Sequence, residues 1–372
     1  MPVQKLSVIT RTLCLVALGT LPTAALAETR LNVPEGFAIE ALDFKVPNAR
    51  QIALTEQGAL IIGTRRKGVV YKVENALSEN PGKPQVILDN VTMPSGVTVH
   101  KGDAYIGATH EIIKIANIDS AKPADPVRIT SALPKERHHG WKYLKFGPDG
   151  HLYFPVGAPC NICLSEDPRF ASILRMDADG STEVWAHGVR NSVGFAWHPQ
   201  TGQLWFSDNG RDMLGDDIPP EEINILTKPG EHFGYPFQHA SGIADPEFGD
   251  HSAAGEHTFT EPAVEIQAHS AALGMTFYTA TQFPEQYHHA LFVAEHGSWN
   301  RSSKVGYQVS VITTDADGNA QHRPFVTGWL KGQKDWGRPN DVLLAPDGSL
   351  LISDDKADRI YRVRYTGKPV TL

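Results

Sequence analysis

The sequence predicts an all-β chain folded as a six-bladed β-propeller. Three observations predict it. Helical periodicity is nearly absent. Short apolar or alternating runs are punctuated by Gly, Pro, Asn and Asp. A three-part unit recurs six times along the chain. Units of this size close into a ring as propeller blades, whereas an irregular pair of β-sandwiches does not explain a repeated triplet.

The first part of each unit is an opening strand: ARQIAL (49–54), SGVTVH (95–100), HGWKYLKF (139–146), RNSVGFAW (190–197), AALGMTFY (271–278) and RPNDVLLA (338–345). The second is a turn and a strand, with Leu60, Ala104, Leu152, Leu204, Leu291 and Leu350 at matching positions. The third is a strand such as VYKVE, IIKIA or IYRVR. The matching positions lie 44, 48, 52, 87 and 59 residues apart, so the long interval holds an insertion near 227–268, rich in His, Gly and acid. The strand that follows the N-terminal signal described below is expected to complete the last blade.

Strands within a blade are antiparallel, so the start of strand one and the link from strand two to strand three share one end of the ring. That link is short in units one, two and six. It is long in units three, four and five, which carry APCNICLSEDPRFAS, NGRDMLGDDIPPE and HGSWNRSSKVG. Insertions confined to one face mark a binding face. His139, Arg190 with Asn191, and Arg338 with Asn340 open their strands at that same end. His139, Arg190 and Arg338 precede the matching Leu positions by 13, 14 and 12 residues, so they are expected to converge on the central channel.

Residues 1–27 read as a secretory signal: Lys5 and Arg11, then the short apolar run LCLVALGTL, then Ala25-Leu26-Ala27 as a small-residue cleavage site. The apolar run is too short for a membrane span, and no later run is long enough. The mature chain, 28–372, is expected to form one propeller domain in the periplasm or outside the cell. Loss of Lys5 and Arg11 leaves 32 basic against 42 acidic residues, a net charge of −10. That balance argues against nucleic acid or an anionic membrane as partner. Cys160 and Cys163, in CNIC, are expected to form a disulfide in an oxidising compartment. A c-type haem needs His after the second Cys, where Leu164 stands, and a structural zinc needs further ligands that cannot be assigned.

The runs HHGWKYLKFGPDGHLYF, HGVRNSVGFAWHP, SDNGRD…DDIPPEEINIL…GEHFGYP and GRPNDVLLAPDGSLLISDD resemble the glucose/sorbosone dehydrogenase family, the soluble pyrroloquinoline quinone (PQQ)-dependent aldose dehydrogenases. HGSWNR looks like the sorbosone-type branch. The resemblance covers most of the mature chain. It implies PQQ at the loop-rich face, clamped by Ca2+, and oxidation of a sugar whose electrons leave to a separate quinone or cytochrome. It makes His139 the catalytic base and Arg190 the group that stabilises charge on the reduced cofactor. Asn191 and Arg338 match cofactor-binding positions, and Gly210 and Arg211 match positions whose carbonyls hold the calcium. Two departures stand out. Ala158 replaces the Asp that orients the histidine in glucose-type members, leaving Glu166 or Asp167 as substitutes. His296 or Gly297 falls where a cofactor-binding lysine is expected, leaving Arg301 or Lys304 to serve.

A tricarboxylate quinone needs fixed positive charge, a hard cation and flat walls. Arginine gives planar two-point contacts, calcium accepts backbone carbonyls, and Trp299 or Trp336 offers a wall. Asn340 lies beside Arg338 in the same strand. Asp216, Asp217, Glu221 and Glu222 read equally as a second calcium site or as a solvated acidic loop. His138, His288 and His289 read as surface or core residues. Two other functions fit the architecture: a calcium-dependent lactone hydrolase, which wants carboxylates and Asn converging on a channel metal, and a non-catalytic binding propeller.

Overall fold

A computed structural model of the chain describes residues 31–130, 132–314 and 320–367. The expected signal, 1–27, lies outside them. The architecture is a six-bladed β-propeller. Blade 1 runs through Ala49–Leu54, Leu60–Thr64, Val70–Val73 and Gln85–Leu88, and blade 2 through Gly96–His100, Asp103–Gly107, Ile112–Ile115 and Val127–Thr130. Blade 3 comprises Lys145–Phe146, Leu152–Val156, Ser172–Met176 and Thr182–His187; blade 4 comprises Phe195–Trp197, Leu204–Asp208, Glu221–Leu226 and Val264–Ile266. Blade 5 is Ala272–Phe277, Leu291–Glu295, Gln308–Thr314 and Ala320–Val326. Blade 6 takes Pro339–Leu344, Leu350–Asp354 and Arg359–Tyr365 from the C-terminal end and Phe37–Ala41 from the other, in register from Phe37↔Tyr365 to Ala41↔Tyr361. The strand expected to complete the last blade does so.

Burial explains the repeat. Alternate residues of a strand point to opposite faces, and here both faces pack on a neighbouring blade. Leu60 and Ile62 enter the apolar layer against blade 6, with Leu351 and Ile360; Ile61 enters the layer against blade 2, with Val97 and Ile106. Second strands are therefore buried at nearly every position, as Leu60–Thr64 and Leu152–Val156 are, and read as continuous apolar runs. The outermost strands are not. Gln85–Leu88 and Val127–Thr130 begin with exposed residues and carry no clear run, which is why the repeat reads as three strands when each blade has four.

First strands crowd the channel. A Cβ on Gly194 would lie 2.1 Å from the Leu273 carbonyl oxygen of the next blade, so no other residue fits without backbone movement. Gln51 ties three blades: its amide donates to Leu144 O (2.7 Å) and accepts from Leu144 N (2.8 Å) and Val97 N (2.9 Å).

Two expected first strands are shorter than expected. The ladders begin at Lys145 and Phe195, so 139–144 and 190–194 run outside them. Their polar groups find other partners: Arg190 N and Asn191 N donate to the two oxygens of Asp208 (2.7 and 2.6 Å). The insertion lies between the third and fourth strands of blade 4. Its Glu231–His232 pairs in parallel with the edge of blade 3, opposite Ala186 and His187. No helix among the described residues is long and apolar enough to cross a membrane.

Candidate active site

His139, Arg190, Asn191, Gly210, Trp299 and Arg338 line one cavity of about 200 Å3, where the first strands begin. The convergence expected from the strand starts is present.

His139 holds a left-handed backbone conformation (φ 48°). A Cβ on Gly157 would lie 2.5 Å from its Cβ, so the glycine makes room for the ring. Its Nδ1 lies 3.0 Å from the Ala158 carbonyl oxygen. A carbonyl only accepts, so Nδ1 carries the proton and the neutral ring keeps its lone pair on Nε2. The backbone of Ala158 thus does what a carboxylate was expected to do, and neither Glu166 nor Asp167 is needed. Burial, then the charge of Arg190, then His138 hold the imidazole well below its ordinary pKa.

Arg190 is clamped. Nε donates to Asn161 O (2.9 Å), Nη1 to Asn209 O (2.9 Å), and Nη2 to Asn161 Oδ1 (2.7 Å) and Asp212 Oδ2 (3.1 Å). Asn161 stands between Cys160 and Cys163, which form the expected disulfide. Asp212 is also held by Asn300 Nδ2 of the blade 5 loop (2.9 Å). One guanidinium therefore joins the long loops of blades 3 and 4, and Asn300 adds that of blade 5.

Opposite lies a cationic group around Asp355. Arg50 Nη1 (2.9 Å), Arg65 Nη1 (3.7 Å) and His296 Nε2 (2.8 Å) converge on that carboxylate. Burial raises its proton affinity, but the charge of and hydrogen bond from His296, then the charges of Arg50 and Arg65, outweigh this and hold it well below the carboxylate range. Burial pulls the His296 imidazole down to about 4, against the upward pull of Asp355. Arg338 Nε donates to His296 O (2.9 Å), and its guanidinium also bonds Gly297 O and lies over Tyr307 at 5.3 Å.

The blade 4 side offers oxygen. Asn191 Oδ1 and Asn300 Oδ1 are buried without a hydrogen-bond partner. Glu221, which lines the cavity, accepts from Gly210 N (3.1 Å) and Ala271 N (3.2 Å), and burial pushes its carboxyl up to about 8. A Cβ on Gly210 would meet Pro219 Cγ at 2.7 Å. Unsatisfied oxygens beside a buried carboxyl suit a hard cation.

A family model described as TrAA12-like matches residues 172–365. The chain belongs to the TrAA12-like family. It is 34% identical over 353 residues to an uncharacterized protein of Borreliella burgdorferi, covering 90% of this chain and 91% of that one. It is 20% identical over 425 residues to a pyrroloquinoline quinone-dependent pyranose dehydrogenase of Coprinopsis cinerea, covering 94% of this chain and 56% of that protein's length. The holo PQQ domain of the Coprinopsis pyranose dehydrogenase superposes with a TM-score of 0.73 at 18% identity, covering 90% of this chain and 97% of the domain. The calcium structure of a Trichoderma reesei carbohydrate-active enzyme of family AA12 gives 0.75 at 17% identity, over 90% and 97%. At these identities the superpositions establish the shared fold.

In this TrAA12-like chain some expected site residues lie elsewhere. Arg301 bonds Asp216 O, Asp217 Oδ1 (3.1 Å) and Ala268 O (3.4 Å), tying the blade 5 loop to the blade 4 loop. Lys304 pairs with Asp335 at 2.5 Å. Neither lines the cavity, so neither replaces the expected lysine there. Asn340 is buried behind the wall, and its amide oxygen accepts from Arg50 Nη1 (2.8 Å) and Nε (3.2 Å). The Arg211 side chain turns to Asp245 (2.5 Å) and Glu247 in the insertion, so only its backbone remains for a cation. Trp336 packs beside the core of blades 5 and 6 and donates to Gly328 O (2.7 Å), whereas Trp299 is 65% exposed at the cavity. The acidic quartet is split: Asp216 and Asp217 bond Ser302 and Arg301, while Glu222 is buried and accepts from Ala240 N (2.7 Å). Among the described residues no three His, Cys, Asp or Glu gather as a metal cluster.

Sequence reading missed Arg50, Arg65, Trp141 and Asp355. Arg50 carried a signal, since it stands second in ARQIAL, near the start of its strand, as Arg338 is at the start of RPNDVLLA. Arg65 and Asp355 directly follow second strands, at the same end of the ring.

Proposed function

We propose that the protein is an exported PQQ-dependent oxidoreductase that oxidises an aldose or a sorbosone-type aldehyde. One observation carries the reading: a neutral imidazole of fixed tautomer, His139, shares a cavity with several guanidiniums and with buried oxygens that lack a partner. The name of the Coprinopsis relative, a PQQ-dependent pyranose dehydrogenase, supports this chemistry, and that of the Trichoderma structure supports a carbohydrate substrate and calcium.

The residues fit both groups. Arg338 and Asn191 would bind the cofactor's polar edge, with Trp299 at the mouth. Asn191 Oδ1, Glu221 and the carbonyls of Gly210 and Arg211 would hold calcium. Arg301 and Asn340 would act behind the wall, as braces for the blade 5 loop and for Arg50. When bound, PQQ supplies a two-electron acceptor whose electrophilicity calcium increases. His139 Nε2 takes the proton of the anomeric hydroxyl as the C1 hydrogen departs with its electron pair. Arg190, held by four hydrogen bonds to the protein, contributes a fixed charge. Electrons then pass to a separate quinone or cytochrome.

The test is to mix cofactor-free protein with PQQ and Ca2+ and add sugars. A cofactor spectrum that bleaches with sugar supports the reading. Metal-dependent lactone cleavage would instead support a hydrolase, and neither response a binding module. The pH profile adds a sign. A base whose pKa is depressed stays unprotonated as pH falls through 6.5, and loses its lone pair only lower. The acid limb of kcat/KM is therefore expected below pH 6.5, and a midpoint at or above 6.5 would contradict the role of His139.

A further inference from the structure

The groups assigned to the cofactor and its cation, among them Asn191, Gly210, Trp299 and Arg338, stand on blades 4, 5 and 6. His139 stands in the link into blade 3. Arg50 and Arg65 of blade 1 and Trp141 also line the cavity. Arg50 lies over the Trp141 ring at 4.7 Å and Arg65 at 5.7 Å, so the indole orients both guanidiniums.

Charge on this arc is not balanced. Asp355 is one carboxylate facing two guanidiniums and an imidazole. Arg50 is the nearer partner at 2.9 Å; Arg65 reaches the same oxygen only at 3.7 Å. Arg65 Nε is buried without a hydrogen-bond partner. Arg66 and Lys67 follow on the same loop, both exposed, and give a basic rim to a protein of formal net charge −8. An oriented guanidinium on a side chain that is 30% exposed, lining such a cavity, is built for a planar anion.

We propose that Arg65, backed by Arg50 and Trp141, receives a carboxylate carried by the substrate, so that the preferred substrates are acidic aldoses of the uronic acid class. This deepens the oxidoreductase reading and rests on it. The arc runs from Trp141, two residues beyond His139, to Arg338, whose carbonyl accepts from Asp355 N at 3.3 Å and whose charge reaches Arg50 and Arg65; titration of PQQ into Arg65→Gln protein decides whether the sugar or the cofactor takes this charge.

Binding and turnover test it separately. Glucuronate and glucose are titrated into protein loaded with PQQ and Ca2+, followed by calorimetry and tryptophan fluorescence, and PQQ is titrated into the cofactor-free protein. Glucuronate is expected to bind about tenfold or more tighter than glucose, as loss of one charge-assisted hydrogen bond implies, with the advantage shrinking as salt rises. Arg65→Gln, on a partly exposed loop, is expected to abolish the preference, and Arg65→Lys to keep part of it. Equal binding of the two sugars, or a preference that survives Arg65→Gln, overturns the proposal. So does weaker PQQ binding by Arg65→Gln with the acid preference intact, which assigns the charge to the cofactor. Arg65-dependent glucuronate binding without sugar-dependent bleaching supports the anion site and overturns the oxidoreductase reading.

Discussion

In the cofactor-loaded protein, His139→Gln is expected to lower kcat for sugar oxidation by roughly 10²–10⁴-fold, the range that a positioned general base contributes. Glutamine retains an amide donor for the Ala158 carbonyl but offers no lone pair basic enough to take a hydroxyl proton. The loss should fall on kcat rather than KM, because the proton moves only as the C–H bond breaks. A cofactor spectrum identical to that of the parent protein would establish that the site is loaded. Parental turnover in such a preparation would remove His139 from the base role.

Asp355→Ala is expected to cost about 3–5 kcal/mol of folding stability, the usual result of stranding one member of a buried ion pair. The side chains of Arg50 and Asp355 are 4% and 0% exposed, and His296 bonds the same carboxylate. Removing it leaves a buried guanidinium without a counter-charge and an imidazole without its acceptor. The Arg175–Glu183 pair is closer, at 2.5 Å, but its side chains are 22% and 51% exposed. Breaking that pair should cost no more than about 1 kcal/mol. Denaturant midpoints of the two variants decide the point, and a midpoint for Asp355→Ala within error of the parent would contradict the account. Burial, not distance, sets the order.

How much of this was legible in the sequence follows burial. Second strands pack on two neighbours, so Leu60–Thr64 or Leu350–Asp354 cannot be mistaken for a surface segment. Outer strands have one wet face and one short run, and only the strand at Phe37–Ala41 was anticipated, because the last blade lacked a partner. The site was legible where a polar group interrupts an apolar strand, as at Arg190, Asn191 and Arg338. It was not legible where backbone does the work. No side-chain pattern announces that the Ala158 carbonyl fixes the His139 tautomer, or that the carbonyls of Asn161 and Asn209 take up donors of Arg190. Contacts between distant loops were hidden too: Arg301 meets Asp217 across 84 positions of chain, and the family resemblance had offered it for the cofactor in place of the expected lysine.

The sixth blade borrows one strand from the opposite end of the polypeptide, pairing Phe37 with Tyr365. A growing chain therefore holds an unmatched sheet edge until the strands of blade 6 arrive. Until then each partial assembly is an open arc with apolar flanks on show, prone to stick to other copies. Closure spans nearly the entire length of the molecule, so acquisition of the native state should be slow for its size. Removing Phe37–Ala41 or Arg359–Tyr365 should spring the circle open rather than merely trim it.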